Sequence, residues 1–123
     1  MRPTKFKLIT DPIFRSEILF YISKNGDDVI CHAERKCKSK LNIGKFDGFK
    51  GICSEIYDDK TKITFWIVWV NDKKDWKTMS HEALHLVFRI LDKRGVKYSS
   101  DNDETFCYLH EYFISKFWHI MCQ

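Results

Sequence analysis

The chain is short of the residues that interrupt folded structure. Two prolines and five glycines in 123 residues leave no room for a long linker or a Pro-rich or Gly-rich tract. No internal repeat is visible either. The five cysteines (Cys31, Cys37, Cys53, Cys107 and Cys122) are odd in number, irregularly spaced and lack a Cys-x-x-Cys pair. That pattern argues for reduced thiols and against a disulfide framework. Long apolar runs are missing too. The longest predominantly apolar stretch, Ile63 to Val70, falls far below the roughly 20 residues of a membrane helix. Met1 to Lys7 carries charges with no apolar segment after them, so no secretory signal is expected. These absences predict a soluble, cytoplasmic protein without a membrane partner. One-sided charge is also lacking. With 21 basic and 17 acidic residues the net charge is only +4, which suits a mildly basic globular protein better than a polybasic nucleic-acid arm.

Apolar and aromatic residues, by contrast, are plentiful. The hydrophobic fraction is 44%, with ten Phe and four Trp, enough for a substantial core in one domain spanning residues 1–123. Lys5 to Ile9 alternates charged and apolar residues like a half-buried strand, and Asp11-Pro12 marks a turn. Glu17 to Ile22 is short, β-branched and aromatic, and is expected to pair with that first strand. Asp27 or Asp28 is a candidate cap for a short helix through Val29, Ile30, Ala33 and Cys37. Gly51–Tyr57 and Lys62–Val70 flank a polar turn, the signature of a hairpin. In its second strand both alternating sets are apolar, so cover on both faces is expected. A helix beginning between Asp75 and Ser80 should run to about Asp92 and stop before Gly95. A last helix should follow the caps at Ser99 to Asn102 and reach about Ile120. Its stripe Phe106, Leu109, Phe113, Phe117 and Ile120 is one face. Glu104, Cys107, Tyr108, Glu111, Ser115 and Trp118 form the other, and a helix with two such faces points to a homodimer or to burial.

The chemistry concentrates in His81-Glu82-Ala83-Leu84-His85. Two histidines four apart lie one turn apart on one helical face, where both imidazoles can meet a single metal ion. Glu82 beside them would take a proton from a metal-bound water. Catalytic zinc needs three protein ligands and an open position. Glu104, separated from His85 by eighteen residues, is the preferred third ligand, with Asp101 and Asp103 as alternatives. A negative residue near a helix N-terminus is also favoured by the helix dipole. Tyr98, Tyr108, Tyr112 and His110 are candidate donors to a transition-state oxyanion. Cys31, His32 and Cys37 lack a convincing fourth partner for a second, closed site. Arg35, Lys36, Lys38, Lys40, Lys45 and Lys50 make residues 34–50 the most basic stretch. A solvated face is its expected role, and a phosphate-contacting patch, with Phe46 and Phe49 near bases, is the alternative.

The pattern His-Glu-x-x-His with a downstream Glu resembles the gluzincin metallopeptidases, and its eighteen-residue spacer is like that of their aminopeptidase branch. Asn102-Asp103-Glu104 with Tyr108 one turn on is similar to small His-Glu-x-x-His proteins encoded by bacteriophages and prophages. The resemblance covers residues 79–113. It implies zinc held by His81, His85 and Glu104, with Glu82 as general base and Tyr108 among the catalytic residues. In thermolysin-type gluzincins an Asp follows the third ligand by four residues. Here that position is Tyr108, with Asp92 or Glu111 as possible substitutes.

The expected fold is therefore α+β: an antiparallel-rich sheet, the motif helix packed on it, and a C-terminal helix supplying the third ligand in a minimal gluzincin-like arrangement. The expected function is a zinc-dependent peptidase, with a peptide lying along the edge strand nearest the helix. A zinc-binding protein that modulates a partner and a basic nucleic-acid binder are the alternatives.

Overall fold

A computed structural model describes residues 5–40, 49–58 and 60–123. Lys45 and Phe46 of the basic stretch lie outside the described residues. Seven elements follow one another: β1 (Lys5–Thr10), β2 (Glu17–Ile22), α1 (Gly26–Cys37), β3 (Gly51–Asp58), β4 (Ile63–Val70), α2 (Trp76–Lys93) and α3 (Asp103–Met121). The class is α+β, and the four strands form one mixed sheet in the order β1-β2-β4-β3.

Two of the pairings are the antiparallel ones expected from local sequence. Leu8 faces Leu19 across β1 and β2, and Cys53 faces Val68 across the β3–β4 hairpin. The third joins β2 to β4 in parallel, with Phe20 opposite Val68. Parallel neighbours need a crossover, and α1 lies on the path between them.

That topology makes β2 and β4 central, and their composition explains why they can be. Ile18, Phe20, Ile22, Trp66, Val68 and Val70 turn to one face and pack beneath α2 and α3. Leu19, Tyr21, Ile67 and Trp69 turn to the other, where α1 covers them with Val29, Ala33 and Cys37. A strand apolar on both sides is stable only when both sides are covered. Each large side chain so buried contributes about 1.5–3 kcal/mol.

The connections use polar side chains to end elements. Asp11 is fully buried, and its carboxylate accepts from the N–H groups of Ile13 (2.9 Å), Phe14 (2.6 Å) and Ser16 (2.7 Å). It thereby folds the β1–β2 connection around one side chain. Helix α1 is capped by Asn25, whose Oδ1 accepts from Asp27 N–H at 2.9 Å. The cap thus stands two residues before the earlier of the two expected aspartates, which occupy the first turn instead. Trp69 Nε1 donates to Ser23 O at 2.7 Å in the interior, so the indole's one donor is satisfied within the core.

Helix α2 comes unusually close to the sheet at Gly51. A Cβ built there would lie 2.5 Å from Thr78 Cγ2, 2.8 Å from Trp69 O and 3.3 Å from Glu82 Cγ. The first turns of α2 therefore rest on the start of β3. Gly95, at φ 77°, follows the end of α2, in a conformation available to glycine without a Cβ penalty. Phe106 of α3 then packs against Phe88 and Tyr98, with ring centroids 5.1 and 5.3 Å away.

Candidate functional site

Asp75 starts α2. Its Oδ1 accepts from Thr78 N–H at 3.1 Å and its Oδ2 from Thr78 Oγ1 at 2.6 Å. Those bonds hold the Asp75 carboxyl below the ordinary carboxylate range, against the opposing effect of burial. From this cap the 3.6-residue period divides the helix as the sequence predicts. Ala83, Leu86, Val87 and Ile90 are buried against the sheet, whereas His81, Leu84, His85, Phe88 and Asp92 face outward.

On that outer face the two histidines meet. His81 Nε2 and His85 Nε2 are 3.1 Å apart, and the rings stand nearly edge to face, 78° between planes with centroids at 4.7 Å. The contact has the geometry of a hydrogen bond in which one ring nitrogen donates to the lone pair of the other.

Glu82 points the other way, at the boundary of the core, only 9% exposed. Burial raises its carboxyl above the ordinary value, while His81, His85 and Arg89 pull in the opposite direction. Arg89 was not singled out from the sequence. Its guanidinium donates to Cys53 O, and the neighbouring Cys53 thiol is pushed up to about 12 by burial. No sequence signal marks this arrangement, because it depends on α2 crossing β3.

The remaining predicted residues are dispersed. Glu104 is in the first turn of α3 and exposed, as is Tyr108 one turn later. Among the described residues, no hydrogen bond or ring contact links either to the histidine pair. Asp101 is exposed in the preceding turn, and Asp103 opens α3. Asn102 ties the entry loop together, accepting from Ser99 N–H at 2.8 Å and donating to Lys97 O at 2.5 Å. His110 donates to Ser80 O at 3.3 Å, and Tyr112 to Thr10 O at 3.2 Å. Both are thus engaged in joining elements. Tyr98 belongs to the aromatic cluster with Phe88 and Phe106.

The zinc-peptidase expectation is overturned by this placement. Among the described residues, no group of three or more His, Cys, Asp or Glu is placed to hold a metal ion. A hydrolytic zinc site of the expected kind needs three protein ligands around an open position. The physical reason lies in α3. Phe106 turns into the core, and two residues along a helix rotate a side chain by about 200°. Burying Phe106 therefore turns Glu104 outward, onto the exposed stripe with Cys107, Tyr108 and Glu111. The gluzincin-like supply of a third ligand by the last helix is corrected accordingly.

The Cys31, His32 and Cys37 set forms no metal group either. His32 Nδ1 instead pairs with Tyr21 OH at 2.8 Å, and its pKa is lowered by burial and by the nearby Arg35 and Lys36. Strand β3, the edge nearest α2, has two carbonyls already engaged. Cys53 O accepts from Arg89, and Tyr57 O accepts from Ser39 Oγ at 2.7 Å. Side chains on these acceptors blunt the edge to which an added peptide strand would pair.

No helix among the described residues is long and apolar enough to cross a membrane. Compared with known proteins, the chain matches no family model, no curated protein and no solved structure.

Proposed function

We propose that the outer face of α2 carries an open, two-histidine site for a divalent transition-metal ion, zinc included. The observation that supports it is the 3.1 Å separation of the His81 and His85 Nε2 atoms. With metal–nitrogen bonds of about 2.0–2.1 Å, that separation subtends an angle of about 100° at a shared ion. The value falls between the tetrahedral and octahedral angles, so the helix holds the pair close to chelating geometry with both rings already on one side. Binding replaces the Nε2–Nε2 hydrogen bond by two metal bonds and leaves Nδ1–H on each ring. The other coordination positions go to water or to a donor from another molecule.

Imidazole suits zinc, copper and nickel, and affinity among them follows the usual order with copper tightest. Protons compete for the same lone pairs, so binding weakens as the solution becomes acidic.

Titration with Zn²⁺, Ni²⁺ and Cu²⁺ by calorimetry tests the site. One ion per chain is expected. His81→Ala and His85→Ala should each weaken binding by tenfold or more, about 1.4 kcal/mol, and Glu104→Gln should change nothing. Saturable binding that survives both histidine substitutions, or no binding at all, sinks the proposal.

A further inference from the structure

At the far end of α2, roughly 12–18 Å along the axis from the histidines at 1.5 Å per residue, three connections enclose a cleft of about 320 Å³. The β1–β2 connection contributes Arg15 and Ser16, the start of β4 contributes Lys62 and Thr64, and the end of α2 contributes Lys93 and Arg94. Among its described lining residues, four cations face a single carboxylate, Glu17. We infer that this cleft is a binding site for a small phosphate-bearing ligand, such as a pyrophosphate or a phosphate ester.

Two of the cations are already positioned. Arg94 Nη2 donates to Phe14 O at 3.2 Å, and its guanidinium carbon lies 5.3 Å from the Phe14 ring centre. This named bond uses one of five N–H donors and leaves a planar fork for oxygen. Lys93 Nζ sits 5.8 Å from the Trp66 ring centre and 2.7 Å from Glu55 Oε2. Both cations also complement the C-terminal end of the α2 dipole, and that alone would explain them.

It does not explain the other two. Arg15 and Lys62 have φ of 60° and 61°, a left-handed backbone that disfavours any residue with a Cβ. Glycine is the residue such positions ordinarily select. Of the three non-glycine residues with positive φ among those described, these two line the same cleft. Among the described residues, neither side chain has a hydrogen-bond or ion-pair partner. Cationic side chains kept at strained positions and directed to one cavity are what a site under functional constraint displays.

The chemistry selects the ligand class. A net positive lining with the hydroxyl-bearing Ser16 and Thr64 matches a group with several anionic acceptor oxygens, where charge-assisted bonds are strongest. The volume is at the small end for ligand sites, which favours a compact ligand.

The probe is inorganic pyrophosphate, followed by calorimetry at about 50 mM salt, where the Debye length still exceeds 10 Å. One saturable site is expected. The double variant Arg15→Gly/Lys62→Gly should weaken it by tenfold or more while raising Tm, because it removes charge and backbone strain together. Arg94→Gln should weaken it likewise. His81→Ala, which weakens the proposed metal site, should leave pyrophosphate binding unchanged, so the two proposals fail independently. Absence of saturation at millimolar pyrophosphate overturns the inference. So does affinity unchanged in the glycine double variant. Cleft-dependent binding of duplex DNA tighter than that of pyrophosphate would also overturn it, by assigning the phosphates to a nucleic-acid backbone.

Discussion

Gly51→Ala is a sharp probe of how α2 is seated on the sheet. The added methyl group would approach Thr78 Cγ2 to 2.5 Å, about 0.9 Å inside ordinary van der Waals contact, and Trp69 O to 2.8 Å. Thr78 cannot turn away freely, since its Oγ1 is bonded to Asp75 Oδ2 at 2.6 Å. Trp69 O is backbone on a central strand and yields less. Overpacking of this kind costs about 1–3 kcal/mol, and a rigid carbonyl puts the site in the upper half of that range. Replacing glycine also restricts the unfolded chain, which offsets about 0.4–1 kcal/mol. A net loss of about 2 kcal/mol is expected. In urea this lowers the midpoint by about 1 M at a slope near 2 kcal/mol/M. Adding Thr78→Ser deletes the Cγ2 methyl and keeps the hydroxyl for Asp75, so it should restore about 1 kcal/mol, leaving the carbonyl contact uncured. The histidine pair lies within one helix, so metal affinity at the proposed site should stay within about twofold even as stability falls. The reasoning is refuted if Gly51→Ala unfolds within about 0.5 kcal/mol of the parent, or if Thr78→Ser adds its own loss without rescue.

Two further perturbations test local chemistry. Asp75→Ala removes the N-cap of α2 and should cost about 1 kcal/mol at neutral pH. The carboxyl is depressed in the folded state, so its contribution is full above the unfolded value of about 3.9. It fades as pH falls through the folded one. Urea curves for parent and variant should therefore converge as the pH falls below the unfolded value, and a gap that widens in acid would contradict the hydrogen-bond account. At the end of α1, Lys38 holds φ 52° and ψ 39°. Lys38→Gly should relieve that strain and stabilise by about 0.5–1 kcal/mol, raising Tm by a few degrees. A lower Tm would mean that the lysine side chain contributes more than the backbone loses.

Much of the architecture was legible because local periodicity reports it. Alternation in Lys5–Ile9, the two-sided apolar pattern of Ile63–Val70, and the 3.6-residue stripes of the last two helices each predict an element and the face it buries. Each of those elements is present. The histidine pair was legible for the same reason, since a spacing of four is a property of one helix. The lack of a third ligand beside it was not. Whether Glu104 meets His81 and His85 depends on how α3 rolls about its axis. That roll is set by Phe106 packing on Phe88 and Tyr98, a long-range contact with no local signature.

The same division holds for the rest of the molecule. Sequence alone determined which segments are strands and helices, because backbone preference and solvent-facing pattern are local quantities. Tertiary structure alone decided that β2 and β4 run parallel, that α2 presses on Gly51, and that Arg15, Lys62, Lys93 and Arg94 share a cleft. Each of these joins residues far apart in the chain. Their proximity follows from how two buried sheet faces are shared among three helices, and no short window of sequence carries that information.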